Sequence, residues 1–290
     1  MLMKKAKPKA CAKVVANALH ERGYRFRDLR EKPILTPTDI EERYEFAKKY
    51  MLMTPEWWEL QVDIHLDNHG FKVALREPGR KLLAKRKVCG VYRKKGTGLS
   101  PAHVKPSKKL RIPTGAKSIL IGGGVGHGKV LVWQHIEETW SGAEAAKFYK
   151  DAVAPALKKH VPGKKRFQIL EDNDPTGNYS GKGVKAKQEM KLIPLRIPKQ
   201  SPDLNVLDYA IWSEVERMMR NQERLFCAGK TETREEFKVR LARTARNLSS
   251  SFISKSIRDM AVRCKRLFQA KGGLFEEGGK KKKKKVAKRR

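Results

Sequence analysis

At 290 residues the chain is long enough for one or two domains with a substantial core, and 66 Lys+Arg against 31 Asp+Glu give it a formal net charge of +35. No apolar run approaches membrane-spanning length and no signal-peptide core stands at the start. The four cysteines (Cys11, Cys89, Cys227, Cys264) form no CxxC pair and no Cys/His cluster, which argues against a disulfide framework or zinc site and fits a reducing, intracellular setting. Residues 280–290 hold nine basic and no acidic side chains, so the rest still carries +26. An excess spread that widely predicts a polyanionic partner, because each Lys or Arg that neutralises a phosphate releases counterions.

In chain order, residues 1 to about 50 read as helical and basic. Val14, Val15, Ala18 and Leu19 form one apolar face; Thr36 or Thr38 can then cap a second helix whose stripe is Ile40, Tyr44, Phe46 and Ala47. From Glu56 the period becomes two. Trp58, Leu60, Val62, Ile64 and Leu66 alternate with polar residues, Phe71, Val73 and Leu75 alternate after Asp67-Asn68-His69-Gly70, and the pattern predicts a β-hairpin turning at those four residues. Arg76 to Lys117 reads as an extended basic excursion with one strand near Val88 to Tyr92, and its Arg80 to Lys109 portion is expected to line a DNA groove, positioning phosphates without reading bases.

Residues 118–124 and 129–136 read as two strands around a Gly-rich turn. Gly123 to Lys129 nearly spells a phosphate-binding loop, but Val130 replaces the Ser or Thr that would reach a metal, and a strand follows instead of a helix. A helix across Ala143 to His160, a short buried strand 167–170 ending in acid, a helix carrying Val184 to Met190 and the strand 191–198 come next. Ser201 opens a further helix, with Asp203 as its expected N-cap, and the chain is helical to about Ala270. Strands alternating with helices in this order predict an α/β fold with a mixed sheet flanked by helices, compatible with a ribonuclease H-like architecture.

Three acids stand out by position. Asp63 lies between Val62 and Ile64, Asp172 just past the strand Phe167-Leu170, and Asp208 in the first turns of the helix after Ser201-Pro202-Asp203. Carboxylates placed among apolar neighbours are costly unless paired or bound to a cation, and a Mg²⁺ pair needs hard oxygen ligands of this kind. Asn173 is a candidate to orient Asp172, Glu171 and Asp174 read as solvated flanks, and Trp57, Trp133, Trp140 and Trp212 read as packing.

LEDNDPTG and SPDLNVLDYAIW, with 35 residues between Asp172 and Asp208, resemble the second and third catalytic blocks of mariner-superfamily transposases; VDIHLDN resembles the first, and SIRDMAVRCKRLFQAKGG the closing helix. The resemblance runs from about residue 12 to 273. It implies a ribonuclease H-like catalytic domain over 51–273, preceded by a helical remnant of the DNA-binding region and linker (1–50), followed by a helical C-terminal part and a basic tail (274–290). Asp63, Asp172 and Asp208 would be the catalytic, metal-ligating triad. Ile64 stands where the family carries a second acid, so Asp67 is a rival for the first position; Asp63 is preferred because Asp67 falls in the predicted turn.

The resemblance further implies Mg²⁺, with Mn²⁺ as a substitute, and cutting and joining of double-stranded DNA at transposon ends and target. It implies a homodimer, no membrane and no small-molecule cofactor. The paired helix-turn-helix region of the family is almost wholly missing, so a truncated copy is expected. The lysine tail fits nuclear import. The alternative is a catalytically inactive, transposase-derived DNA-binding protein.

Overall fold

The computed structural model describes residues 11–84, 90–94, 96–99, 104–106, 118–225 and 229–276; the lysine tail and half of the basic excursion lie outside them. Two compact units emerge, one made of 1–34 with 86–109, the other of 35–85 with 110–290.

The smaller unit holds helix α1 (Ala12–Glu21), strand β1 (Arg25–Asp28) and strand β2 (Arg30–Lys32). In it β1 pairs antiparallel with Gly90–Arg93 and β2 parallel with Val104–Pro106. These strands replace part of the expected helical segment; Phe26 and Tyr92 meet edge to face at 5.5 Å across the first pair. Helix α1 buries none of its residues.

The larger unit begins with α2 (Pro37–Tyr50), where Thr36 and Asp39 form a reciprocal capping box and Pro37 pre-sets the first turn. The expected edge strand of a hairpin is instead helix α3 (Pro55–Leu60), because Thr54 accepts from Trp57 N–H and Pro55 again occupies the first position. Strand β3 (Ile64–Lys72) then runs straight through the predicted turn, its residues from His65 to Lys72 paired antiparallel with those from Val125 back to Ser118. The remaining elements are α4 (Glu77–Ala84), the smaller unit's β4 (Gly90–Arg93) and β5 (Val104–Pro106), β6 (Ser118–Gly126) and β7 (Lys129–Ile136), then α5 (Gly142–Lys147), which passes through a π-helical turn into α6 (Ala154–His160), and β8 (Phe167–Glu171). After these come α7 (Gly181–Glu189), β9 (Leu192–Arg196), α8 (Trp212–Leu225), α9 (Arg234–Arg246), α10 (Ser250–Arg258) and α11 (Met260–Gln269).

Five strands form one mixed sheet in the order β7-β6-β3-β8-β9, antiparallel on the β6 side and parallel from β3 to β9. The turn from β6 to β7 is His127-Gly128, both at positive φ (49° and 69°), the two-residue geometry whose twist matches a hairpin. Residues 122–124 are strand, as expected, and their lack of side chains admits helices from both faces. A Cβ on Gly122 would stand 2.7 Å from the Phe148 ring, and one on Gly123 2.4 Å from Trp212.

On one face Ile64, Leu66, Val132 and Ile169 pack against Phe148, Tyr149, Val153, Leu157 and Ala186 of the α5–α6 and α7 helices. On the other, Ile119, Ile121, Val125, Leu170 and Leu195 meet the C-terminal helices with α2 and α3, through Ala47, Trp58, Leu207, Val215, Phe237, Ile257 and Cys264. Each large side chain removed from water in these layers contributes roughly 1.5–3 kcal/mol. The sheet is thereby fixed between two helical layers, and the ends of its parallel strands become the natural place for a site.

Asp203 is not the expected cap. It is buried and grips the fully buried Arg43 of α2 through both carboxylate oxygens at 2.8 Å; Arg43 also reaches Ser201 Oγ at 2.8 Å and the Gly272 carbonyl at 2.9 Å. Arg263 donates to the Asp203 carbonyl at 3.0 Å. The residues Ser201 to Asn205 thus tie α2 and α11 to the sheet.

Candidate active site

Parallel pairing decides which acids meet. Ile64 stands opposite Ile169 and His65 opposite Leu170, so two residues further along each strand Asp67 comes level with Asp172. Asp208 arrives from the π-helical turn Leu207–Ile211 that precedes α8, a local widening often found at functional sites. Asn205 places that turn by donating to the Leu66 carbonyl at 3.3 Å and accepting from Leu207 N–H at 3.1 Å.

Asp67 is half-buried, while Asp172 and Asp208 are exposed at the open end of the strands. Desolvation, then the charge of Asp208 and, less strongly, that of Asp172 push the Asp67 carboxyl well above the usual range. Asp172 is pushed up to about 6 by desolvation and by the charges of Asp174, Glu171 and Asp208. Asp208 is likewise raised to about 6, chiefly by desolvation, against the opposing pull of His69 and Asp67.

Asp63 lies elsewhere. It precedes β3 at the opposite end of the strand, four residues or about 13 Å from Asp67. Fully buried, it accepts from Lys164 Nζ through both oxygens at 2.7 Å and from Gln168 N–H at 2.7 Å, with His127 Nε2 at 3.9 Å. The structure therefore does not bring Asp63 together with Asp172 and Asp208; Asp67 stands in that place, because β3 continues through the segment read as a turn.

Two hydrogen bonds hold the cluster. Trp212 Nε1 donates to Asp67 at 2.7 Å, and Trp212, one helical turn after Asp208, stacks on His69 with ring centroids 5.2 Å apart. Asn178 Nδ2 donates to Asp172 at 2.5 Å and in turn accepts from Tyr149 Oη at 3.1 Å. Asn178 has the part expected of Asn173. Behind it Glu171 is buried, not a solvated flank: it accepts from Tyr149 at 2.5 Å and is paired with Lys187 Nζ. Asp174 closes a local turn by accepting from Trp140 Nε1 at 3.0 Å, Thr176 and Gly177. The signals for Trp212 and Asn178 were visible in the sequence as a Trp four residues after Asp208 and an Asn six after Asp172, but their contacts depend on tertiary placement.

Asp63, Glu171 and Asp203 are each bound to a cation; among the described residues, Asp67, Asp172 and Asp208 have no Lys or Arg pair. In a chain of net charge +35, three acids brought to one part of the sheet without a Lys or Arg pair are a specific arrangement. The donor set is all hard oxygen and fits Mg²⁺ or Mn²⁺. Among the described residues no three His, Cys, Asp or Glu side chains already converge at metal-ligating distance: Asp67 is turned to Trp212 and Asp172 to Asn178.

This cluster gives a pH signature. For Asp172 and Asp208 the folded-state pKa exceeds the usual value, so their contribution to stability is complete well below that value and is lost as pH rises through about 6. Buried His65, held down to about 3 by desolvation, acts in the opposite direction, losing stability as pH falls below its ordinary 6.5. In chelator, the melting temperature of the wild type minus that of an Asp172→Asn/Asp208→Asn double variant should therefore fall as pH is raised across about 6, with His65 common to both proteins. Since both aspartates face solvent, the stability change behind that shift should be on the order of 1 kcal/mol. A pH-independent difference would count against the crowding.

The mixed sheet, its order and the helical layers on both faces are those of the ribonuclease H-like class, as the sequence pattern and the resemblance implied. No family model matches the chain, and no curated protein matches it. Solved structures do. The chain is similar to a pre-cleavage Mos1 transpososome (TM-score 0.68, 17% identity, 91% of this chain and 72% of that one). It is also similar to a Mos1 mariner paired-end complex with Mn (0.66, 17%, 92% and 73%) and to the Mos1 transposase catalytic domain with Raltegravir and Mg (0.59, 14%, 84% and 100%). The fold is that of the Mos1 mariner transposase catalytic domain.

Proposed function

We propose that this chain is the catalytic part of a DNA transposase, cutting and joining DNA phosphodiesters with divalent metal held by Asp67, Asp172 and Asp208. The observation that carries the reading is the placing of three cation-free carboxylates around the end of β8 and the middle of β3 in a strongly basic protein. Likeness to Mos1 structures solved with Mg, with Mn and as a paired-end complex supports the metal, double-stranded DNA as partner, and a paired, homodimeric assembly.

Bound there, Mg²⁺ or Mn²⁺ would supply Lewis-acid stabilisation of the attacking and leaving oxygens of an in-line displacement. The chain's own residues do the rest. Trp212 keeps one Asp67 oxygen engaged; Asn178 aims Asp172, and Tyr149, itself bonded to Glu171, holds Asn178. The π-helical turn presents Asp208 at the rim, where a phosphodiester backbone can approach. Cationic side chains around the unit attract that backbone and should make its binding steeply salt-dependent. Entry to the nucleus by way of the lysine tail belongs to the same proposal.

Supercoiled plasmid incubated with the chain and Mg²⁺ or Mn²⁺ tests it. Nicking should require the metal and should fall by on the order of a hundredfold or more in Asp172→Ala and Asp208→Ala, corresponding to several kcal/mol of lost charge stabilisation. Folded protein that binds DNA but never nicks it would instead be the inactive DNA-binding relative.

A further inference from the structure

The end of β8 carries the acids; its beginning opens on the opposite chemistry. Where β8 and β9 start, Phe167 N–H donates to the Lys191 carbonyl at 3.1 Å. Beside that junction is a shallow cavity of about 250 Å³ lined by Lys158, Lys164, Lys165 and Lys191, with Phe167, Glu189 and Met190. Its one carboxylate, Glu189, is engaged by Lys150 at 2.7 Å. The last turn of α6 adds Lys159 and His160 beside Lys158, and Lys129, the first residue of β7, lies close enough to act on His160.

Lysines at the end of α6 complement the helix dipole, but that does not account for Lys164, Lys165 or Lys191, which come from a loop and the start of a strand. Lys164 is held in place. Asp63, itself fully buried, binds its ammonium through both oxygens at 2.7 Å, leaving the side chain 36% exposed at the cavity mouth. Asp63 offsets most of that one charge, so net attraction comes from Lys158, Lys165 and Lys191, around a donor that loses little side-chain entropy on binding. Asp63 thus has a structural part at this pole.

We infer that this pole is a second DNA-backbone surface, binding phosphates of a duplex segment other than the one presented to the carboxylates. The five residues of β8 separate the two by about 16 Å. An open, shallow rim of lysines drawn from three elements suits a duplex running past it better than a small phosphate, which a pocket would enclose; phosphate contacts of this kind position without reading sequence. That the polyanion is DNA rests on the proposed transposase reading, whereas the anion-binding chemistry does not.

The test compares two full-length variants carrying the same loss of charge: Lys158→Gln/Lys165→Gln/Lys191→Gln, and a control with exposed lysines away from this pole, Lys48→Gln/Lys49→Gln/Lys271→Gln. Thermal melting confirms that both are folded. Binding of a 20-base-pair duplex is followed by fluorescence anisotropy across a salt series, and tripolyphosphate is titrated separately as the small-phosphate probe. The pole variant should lose about tenfold or more in duplex affinity and flatten the salt slope by about 2–3, from three lost phosphate contacts, while the control changes much less. Equal losses in both variants would overturn the inference, reducing the effect to overall charge. Loss of tripolyphosphate binding with duplex affinity intact would overturn it in favour of a small-phosphate site. An Asp172→Asn protein should keep the pole's contribution to duplex binding, so failure of this surface and failure of the catalytic reading are separately visible.

Discussion

Asp67→Asn should abolish metal-dependent DNA nicking, by on the order of a hundredfold or more, whereas Asp63→Asn should leave nicking standing and lower the melting temperature instead. The two residues lie four apart on one chain segment, so the experiment contrasts two carboxylates in nearly the same sequence context. Asp67 meets Asp208 and Asp172 and has no lysine or arginine partner among the described residues. Asp63 is closed off by Lys164 and Gln168 N–H, its carboxylate fully buried. Removing its charge weakens a buried pair, but Lys164 is partly exposed and can recover water, so the expected cost is about 1–3 kcal/mol. Plasmid nicking and thermal unfolding, measured on both variants, read the two outcomes. Loss of nicking in Asp63→Asn with Asp67→Asn still active would reverse the assignment.

Arg43→Ala should be the most destabilising change outside the sheet core, at about 3–5 kcal/mol, because it strands the buried carboxylate of Asp203. Arg43 is fully buried and makes bidentate contact with Asp203 at 2.8 Å, with further bonds to Ser201 and the Gly272 carbonyl. The same change should loosen the Ser201–Asn205 segment, from which Asn205 anchors the Asp208 turn to β3. Chemical denaturation would show the loss as a lower midpoint. An Arg43→Ala/Asp203→Ala double variant should recover part of it, since no unpaired charge remains. Additive losses in that pair would mean that the two side chains act independently.

Much of the fold was legible in the sequence. The strands at 118–136, 167–171 and 192–196 and the helices from 142 onward follow from apolar periodicity, because each is half or fully buried in a regular layer. The apparent period of two from Trp58 to Leu66 misled, since its first three residues belong to α3, where Thr54 and Pro55 supply a start signal stronger than alternation. Asp67-Asn68-His69-Gly70 has turn composition, yet pairing with β6 holds it extended. This is tertiary context overriding local preference, and it is why the sequence reading preferred Asp63 to Asp67.

Strands β1 and β2 escaped for another reason: their partners lie about 60–80 residues away, at 90–93 and 104–106, and short strands paired at that range leave no local period. For the site, Asp172 and Asp208 could be singled out by their positions after a strand and at a helix start. Asn178, Tyr149 and the Trp212–Asp67 bond could not, because each depends on how separate elements pack.

The claim at the centre of this account, that Asp67, Asp172 and Asp208 together hold divalent metal, is tested most directly by Mn²⁺ binding, followed by electron paramagnetic resonance on the wild type and single Asp→Asn variants at positions 63, 67, 172 and 208. Binding should weaken by about tenfold or more in each of the last three, as loss of a hard oxygen ligand requires, and should persist in Asp63→Asn. Binding that survives Asp67→Asn but disappears in Asp63→Asn, or that is absent from the folded wild type, would contradict it.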